Sequence, residues 1–263
     1  MQISGSRVLL TGASGGLGAA IARTVAGRGA TVVLSGRNPD LLSPIAAELS
    51  AETQIADLAE PGEAVRLAEA AGPVDILIAN AALPGAARLE RLSQPEAERV
   101  LDVNLKAPVL LAQALLPGMV ARGRGHLVFI SSTAGKAAAP GNPLYHATKF
   151  GLRGLAGALR IDLHGSGIGV SCVMPGFIRD AGLFAESGAK LPAGVGTRSP
   201  QDVADAVVRA IEKNVGEVDV ASPMLRLGAL FSRIAPDQAA ALARRLGSDE
   251  IAATFEQGLS AKR

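Results

Sequence analysis

Aromatic residues are scarce in this chain: they make up 3% of 263 residues, with no Trp and one Tyr. Proteins that hold single-stranded nucleic acid usually combine aromatic stacking with clustered Lys and Arg. Here 26 basic residues nearly balance 24 acidic ones, for a net charge of +2, and they are scattered along the chain. Nucleic acid is therefore excluded as a partner. Cysteine is limited to Cys172, so no disulfide can form within the chain. The apolar run around it, Val170 to Met174, reads as a strand with a buried thiol. No metal site is expected. The N-terminus lacks the basic and long apolar regions of a signal peptide. No uninterrupted apolar run reaches the length of a bilayer span. A cytoplasmic chain without membrane insertion is the expectation. Linkers of low complexity are also missing, and a chain of this length can bury one large core.

Short β-branched runs alternate with longer, alanine-rich amphipathic stretches. Strands are predicted at Val8–Thr11, Thr31–Ser35, Thr53–Ile55, Val74–Ala79, His126–Ser131, Ile168–Met174 and Val218–Val220. Helices are predicted to start near Leu17, Pro39, Pro61, Gln94, Pro143 and Ser199. Ser199-Pro200 pairs a capping side chain with a residue tolerated at the first helical position. Continuously apolar strands such as Val74-Asp75-Ile76-Leu77-Ile78-Ala79 suit a parallel sheet covered on both faces. The alternation predicts an α/β class chain, a doubly wound parallel sheet in a three-layer α/β/α sandwich, over residues 1–221.

Alternation stops after Ser222, and residues 222–263 are read as a C-terminal helical extension. It is expected to pack on the same domain or on a neighbouring subunit. Met224–Ile234 carries Met, Leu, Phe and Ile, with Arg226 and Arg233 on one helical face. A membrane-surface helix is the alternative reading, weakened by a short apolar stretch with only two Arg.

Three local patterns carry chemistry. The first strand runs into Thr11-Gly12-Ala13-Ser14-Gly15-Gly16-Leu17-Gly18 and then an apolar helix. Glycines serve where the backbone turns sharply, where amides approach a pyrophosphate and where helix and strand pack closely. The helix N-terminus adds orphan N–H groups and the positive end of a dipole. The second strand ends in Ser35-Gly36-Arg37, with no carboxylate to hold ribose hydroxyls and an Arg suited to a 2′-phosphate. Ser14 adds a hydroxyl. The single tyrosine, Tyr145, precedes Lys149 by four residues, on one face if both lie in a helix. A phenol near its ordinary pKa of about 10 is a poor base at neutral pH, and a neighbouring ammonium favours its ionised form.

The glycine loop resembles the T-G-x-x-x-G-x-G loop of the short-chain dehydrogenase/reductase family, a Rossmann-type fold. Gly15 also allows T-G-x-x-G-x-x-G, the form of that family's longer epimerases and dehydratases. Ser132 precedes Tyr145 by the family's spacing, 145 − 132 = 13, and Asn104 lies upstream in Val103-Asn104-Leu105-Lys106. The resemblance implies a catalytic tetrad of Asn104, Ser132, Tyr145 and Lys149. Ser132 would stabilise the substrate oxygen, and Tyr145 would exchange a proton with it. Lys149 would lower the phenol pKa and grip the nicotinamide ribose, and Asn104 would hold a water linking Lys149 to solvent. The cofactor implied is NADP(H) rather than NAD(H). Its binding residues would be Gly12, Ser14, Gly15, Gly16, Leu17, Gly18 and Arg37; Asp57 with Leu58 at the adenine; Asn80 with Ala81; Tyr145 and Lys149; and Pro175, Gly176 and Ile178 after the sixth strand.

The chain departs from the family at Ala79-Asn80-Ala81-Ala82, usually Asn-Asn-Ala-Gly, and at Asp180, which stands where a Thr commonly meets the nicotinamide carboxamide. The segments Thr133–Asn142 and Phe177–Val195 are expected to rim the substrate site. Phe177, Leu183, Phe184 and Leu191 suggest a lipophilic carbonyl or alcohol, while Lys136 is read as a solvated lysine or a contact for an anionic substrate. Two rivals are a non-catalytic NADP-binding sensor and an epimerase or dehydratase. The apolar stretches Gln94–Ala121 and Leu144–Leu163 suggest a homodimer or homotetramer.

Overall fold

The apolar runs fold into parallel strands. The computed structural model describes residues 1–192 and 194–259, so Ala193 of the predicted rim and residues 260–263 of the extension lie outside it. Strands β1 (Arg7–Thr11), β2 (Thr31–Gly36), β3 (Glu52–Ile55), β4 (Ile76–Ala79), β5 (Gly125–Ile130), β6 (Ile168–Pro175) and β7 (Glu217–Val220) form one sheet. Their order is β3-β2-β1-β4-β5-β6-β7, and every adjacent pair is parallel. The chain steps outward from β1 to β3, then returns to lay β4 on the other side of β1. That reversal opens a crevice beyond the carboxyl ends of β1 and β4.

Helices cover both faces because successive strand side chains point to opposite sides. Val8 and Leu10 pack with Ile21 and Val25 of α1 (Gly16–Ala26), Leu42 of α2 (Pro39–Leu49) and Val207 of α8 (Pro200–Lys213). Leu9 joins the opposite layer, with Leu67 of α3 (Glu63–Ala70), Leu111 of α5 (Ala107–Arg122) and Leu152 of α6 (Pro143–Asp162). Fully burying one such side chain stabilises the fold by about 1.5–3 kcal/mol. β4 starts at Ile76 rather than Val74: the Asp75 carboxylate accepts from the Arg7 amide at 3.0 Å, and β1 pairing begins with Val8 opposite Ile76.

The stretch from Gln94 is less regular than predicted. It comprises α4 (Gln94–Leu101), a π-helical turn (Asp102–Lys106) and α5, in one continuous run. Contrary to the sequence expectation, Gln94–Arg122 is long and apolar enough to cross a bilayer. Its Val100, Leu111, Leu115 and Met119 are buried in the protein core, as in the central helix of a layered fold.

Beyond β7 the chain forms α9 (Pro223–Ile234), α10 (Pro236–Arg245) and α11 (Ser248–Gly258). Ser222 caps α9 by accepting from the Leu225 amide at 3.3 Å. α11 turns back onto α7 (Gly182–Ser187): the rings of Phe184 and Phe255 lie 6.1 Å apart, and Leu259 is buried.

Candidate active site

The crevice is a cavity of about 690 Å³ with the glycine loop as its floor. Gly12 has φ +66°, and a methyl group there would fall 2.8 Å from Ala81 Cα, so turn and close approach both demand glycine. The β1 and β4 ends are tied together at this point. Asn80 Nδ2 donates to the carbonyls of Thr11 and Gly12 at 3.1 Å, and Thr11 Oγ1 accepts from the amides of Asn80 and Ala81 at 3.1 Å. α1 starts behind the loop with no side-chain cap and no acidic residue in its first turn. Its amide end is therefore electropositive and suited to phosphate.

At one end of the cavity stands Arg37, exposed, on the loop after β2. Asp57 lines the same end, but its oxygens are already engaged: Oδ2 with Arg99 Nη2 at 2.7 Å, and Oδ1 with the Ala59 amide at 3.1 Å. Burial opposes its ionisation, and these hydrogen bonds outweigh burial and hold the carboxyl below its ordinary pKa. The pair with Arg99 was not foreseen.

The other end is built by β5, β6 and α6. Ser132 caps a 3-10 turn (Thr133–Gly135), accepting from the Ala134 amide at 3.1 Å and donating to Pro175 O at 3.3 Å. Tyr145, in the first turn of α6, is hydrogen-bonded to Ser132. One turn on, Lys149 is 2% exposed, with Nζ 5.3 Å from the centre of the Tyr145 ring and donating to Ile130 O at 2.9 Å. The neighbouring Ser131 instead turns its hydroxyl to Lys149 O at 2.8 Å.

The expected lowering of the phenol pKa by Lys149 is not found in this arrangement. Burial pushes Tyr145 up to about 12, opposed only by the Ser132 hydrogen bond. Burial likewise moves Lys149 down to about 8. The site as it stands keeps the phenol protonated and ready to donate. Asn104 sits in the π turn, fully buried behind the cavity wall rather than on it. Its Oδ1 accepts from the Leu83 amide at 2.7 Å and its Nδ2 donates to Leu83 O at 2.9 Å, so its side chain fixes the loop after β4 and makes no bond to Lys149. Thr148, whose hydroxyl lies 3.5 Å from Asn104 Nδ2 and donates to Tyr145 O at 2.8 Å, links this buried amide to the tyrosine turn. Sequence reasoning missed that link, since nothing in the spacing marks a buried threonine.

Ser132, Tyr145 and Lys149 all line the cavity, as do Gly12, Ser14, Gly15, Gly16, Leu17, Gly18, Arg37, Asp57, Leu58, Asn80, Ala81, Pro175, Gly176 and Ile178. Only the second predicted rim segment reaches it, through residues such as Leu183, Phe184 and Glu186, joined by Leu83 and Pro84. Phe177 supports this wall from behind, its ring 5.1 Å from that of Phe184. Thr133 and Lys136 of the first segment line a separate cavity of about 480 Å³ beneath α9. Lys136 is neither solvated nor free for substrate: it pairs with Asp219 at 2.7 Å and Glu217 at 3.4 Å. Asp180 points away from the cavity, 70% exposed and 3.4 Å from Arg179, on a backbone with φ +68°. The buried Cys172 thiol is pushed up to about 12, chiefly by burial, which leaves it inert as a nucleophile. Among the described residues no group of His, Cys, Asp and Glu is placed to hold a metal ion.

Residues 6–192 match the family model for short chain dehydrogenase. The ketoacyl reductase HetN of a Nostoc species is 36% identical over 227 residues, covering 83% of this chain and 79% of that protein. The bovine dehydrogenase/reductase SDR family member 7B is 33% identical over 251 residues, covering 87% and 77%. Among solved structures, a short-chain dehydrogenase from Sphingobium yanoikuyae in complex with NADPH superposes with a TM-score of 0.76 at 28% identity, covering 89% of this chain and 95% of that one. A metagenomic short-chain oxidoreductase in complex with NADP gives 0.69 at 33% identity, covering 84% and 98%. Sheet order, glycine loop and sequence agree, and the chain belongs to the short-chain dehydrogenase/reductase family of oxidoreductases.

Proposed function

We propose that the protein interconverts a carbonyl and a secondary alcohol on a lipophilic small molecule, using NADP(H), with Tyr145 handling the proton. One observation carries this reading: a single cavity holds Ser132, Tyr145 and Lys149 at one end, and a glycine cradle with Arg37 at the other. The loop fits a dinucleotide, because its glycines keep side chains out of the space in front of the α1 amides. Arg37 favours a 2′-phosphate, and Asp57, neutralised by Arg99, repels it little.

The bound cofactor supplies or accepts the hydride. Ser132 holds the substrate oxygen and stabilises its developing charge. Tyr145, kept neutral by burial, gives that oxygen its proton in reduction and is left as phenolate; oxidation runs the same step in reverse, from the phenolate, which takes the alcohol proton. Lys149 stands one helical turn behind, where it would hold the ribose of a bound cofactor and join the proton path. Asn104 keeps the loop after β4 and the first turn of α6 in register. Leu83, Pro84, Leu183 and Phe184 give the substrate end its apolar lining. Exposed apolar residues on α5 and α6, among them Val109, Val120 and Ile161, support assembly as a homodimer or homotetramer.

Fluorescence titration with NADPH and NADH, in the wild type and in Arg37→Ala, tests the cofactor assignment. Tighter NADPH binding that weakens selectively by about tenfold in Arg37→Ala is the expected result, for a phosphate contact of about 1.4 kcal/mol. Preference for NADH would overturn the assignment while leaving the reaction class standing. A panel of carbonyl compounds with Tyr145→Phe tests the chemistry. Equal turnover in variant and wild type would remove Tyr145 from it, and a panel in which polar polyols far outperform lipophilic carbonyls would overturn the substrate class.

A further inference from the structure

Among the described residues, the helices after β7 present an apolar surface that the body of the protein leaves largely exposed, although Leu227 and Leu230 also line the cavity beneath α9. On α9, Met224, Leu227, Leu230, Phe231 and Ile234 recur at three- and four-residue steps and share one face. All five are exposed, Leu227 at 67% and Ile234 at 76%. Ala229, roughly opposite this face, is the buried residue of the helix. α10, packed against α9, adds the exposed Leu242, and Leu246 follows it. A continuous apolar area of this kind marks an interaction site.

Charge identifies the partner. Residues 223–247 contain Arg226, Arg233, Arg244 and Arg245 against Asp237, a net charge of 4 − 1 = +3, whereas the whole chain carries +2. Among the described helices after β7, the positive charge is confined to α9 and α10, the helices with the bare apolar face, because α11 carries Asp249, Glu250 and Glu256. Arg226, 3.8 Å from Asp219, and Arg233 lie about 100° around α9 from that face, on the flank that also borders the cavity beneath the helix. The two-Arg argument against a surface helix weakens once α10 is included, because it doubles the arginines. A second copy laid on this face about a two-fold axis would set arginine against arginine, and α5 and α6 offer copies other apolar residues.

We propose that α9 and α10 dock the protein on an anionic lipid bilayer. The apolar face of α9 enters the boundary between headgroups and acyl chains, and the arginines meet the lipid phosphates. The docking face adjoins the cavity mouth. Met224 of that face lies against Gly194 of the second rim segment, and Leu225, on the inner side of the helix, lies against Gly176 of the cavity wall. Docking does not depend on which carbonyl the site reduces.

The test is co-sedimentation of the full-length protein with vesicles of phosphatidylcholine containing phosphatidylglycerol, and with phosphatidylcholine alone. The wild type is compared with Leu227→Ser/Ile234→Ser and Arg226→Glu/Arg233→Glu, with circular dichroism confirming that each variant is folded and light scattering giving its mass in solution. The expected result is binding to the anionic vesicles that weakens at high salt and falls at least about tenfold in each double variant. Equal binding to both vesicle types would overturn the electrostatic part of the proposal. No binding to either would overturn it entirely, as would vesicle binding unchanged in Leu227→Ser/Ile234→Ser while that variant drops to a smaller oligomer, which would assign the face to a second copy.

Discussion

α1 and α9 are helices of 11 and 12 residues, both apolar enough to read as core, and they meet opposite fates. α1 buries Gly18, Ala19, Ile21, Ala22 and Val25 between the sheet and α8, whereas α9 buries Ala229 alone. The difference lies in what each helix is given to cover. α1 follows the interior strand β1 and must return over the sheet, while α9 follows the edge strand β7, where the sheet ends. An apolar stripe in a sequence therefore predicts a surface that wants a partner, and the topology decides whether the partner is inside the chain.

The sharpest way to break this comparison is a substitution at equivalent-looking glycines. In α1, a Cβ on Gly18 would meet the Gly12 carbonyl and lie 2.9 Å from Ala13 Cα, so Gly18→Val is expected to abolish cofactor binding or folding, as read by titration and thermal melting. In α9, Gly228 has nothing within 4 Å, so Gly228→Ala is expected to stabilise by up to about 1 kcal/mol through helix propensity. Next in size, Ile21→Ala is expected to cost about 2–5 kcal/mol in urea unfolding. Leu227→Ala, on the exposed face, is expected to stay within about 0.5 kcal/mol. Equal losses from the two would mean that α9 is covered in solution.

The smallest effect concerns pH and sharpens the contrast between buried and exposed charge. Lys149 has a folded pKa near 8, below its ordinary 10.5, so between those values the unfolded chain binds more protons than the folded one. Stability is therefore expected to rise with pH across that window. Tyr145, raised from 10.0 to about 12, opposes this only above pH 10, where the folded state holds the extra proton. Lys149→Met should flatten the rise in melting temperature between pH 8 and 10. A slope unchanged in the variant would assign it to another group.

The sheet was legible because its strands are continuous apolar runs, and the glycine loop because its residues serve the turn they occupy. Ser132, Tyr145 and Lys149 were legible as a spacing, since a strand end and the first turns of the next helix fix how they meet. Contacts between distant elements were not. Arg99 neutralises Asp57 from 42 residues away, and Lys136 is claimed by Asp219 of β7. Neither pairing leaves a periodic trace. The phenol pKa departs from the expectation for a related reason: adjacency to Lys149 is written in the sequence, whereas the burial that raises the phenol belongs to the fold. The break between α9 and α10 at Ala235-Pro236 can be read from the proline, but not which face stays bare.

The π turn at Asp102–Lys106 sets the phase of everything after it. It accommodates one residue more than an α-helical path would, so α5 enters rotated relative to α4. Rewinding these residues as regular α-helix with none deleted would turn α5 by about 100° about its axis. Leu111 and Leu115 would swing off the sheet, and Asn104 would lose its grip on Leu83. The insertion thus works like the offset between two gear wheels, letting one helical run keep its first half in step with the cavity wall and its second half in step with the core.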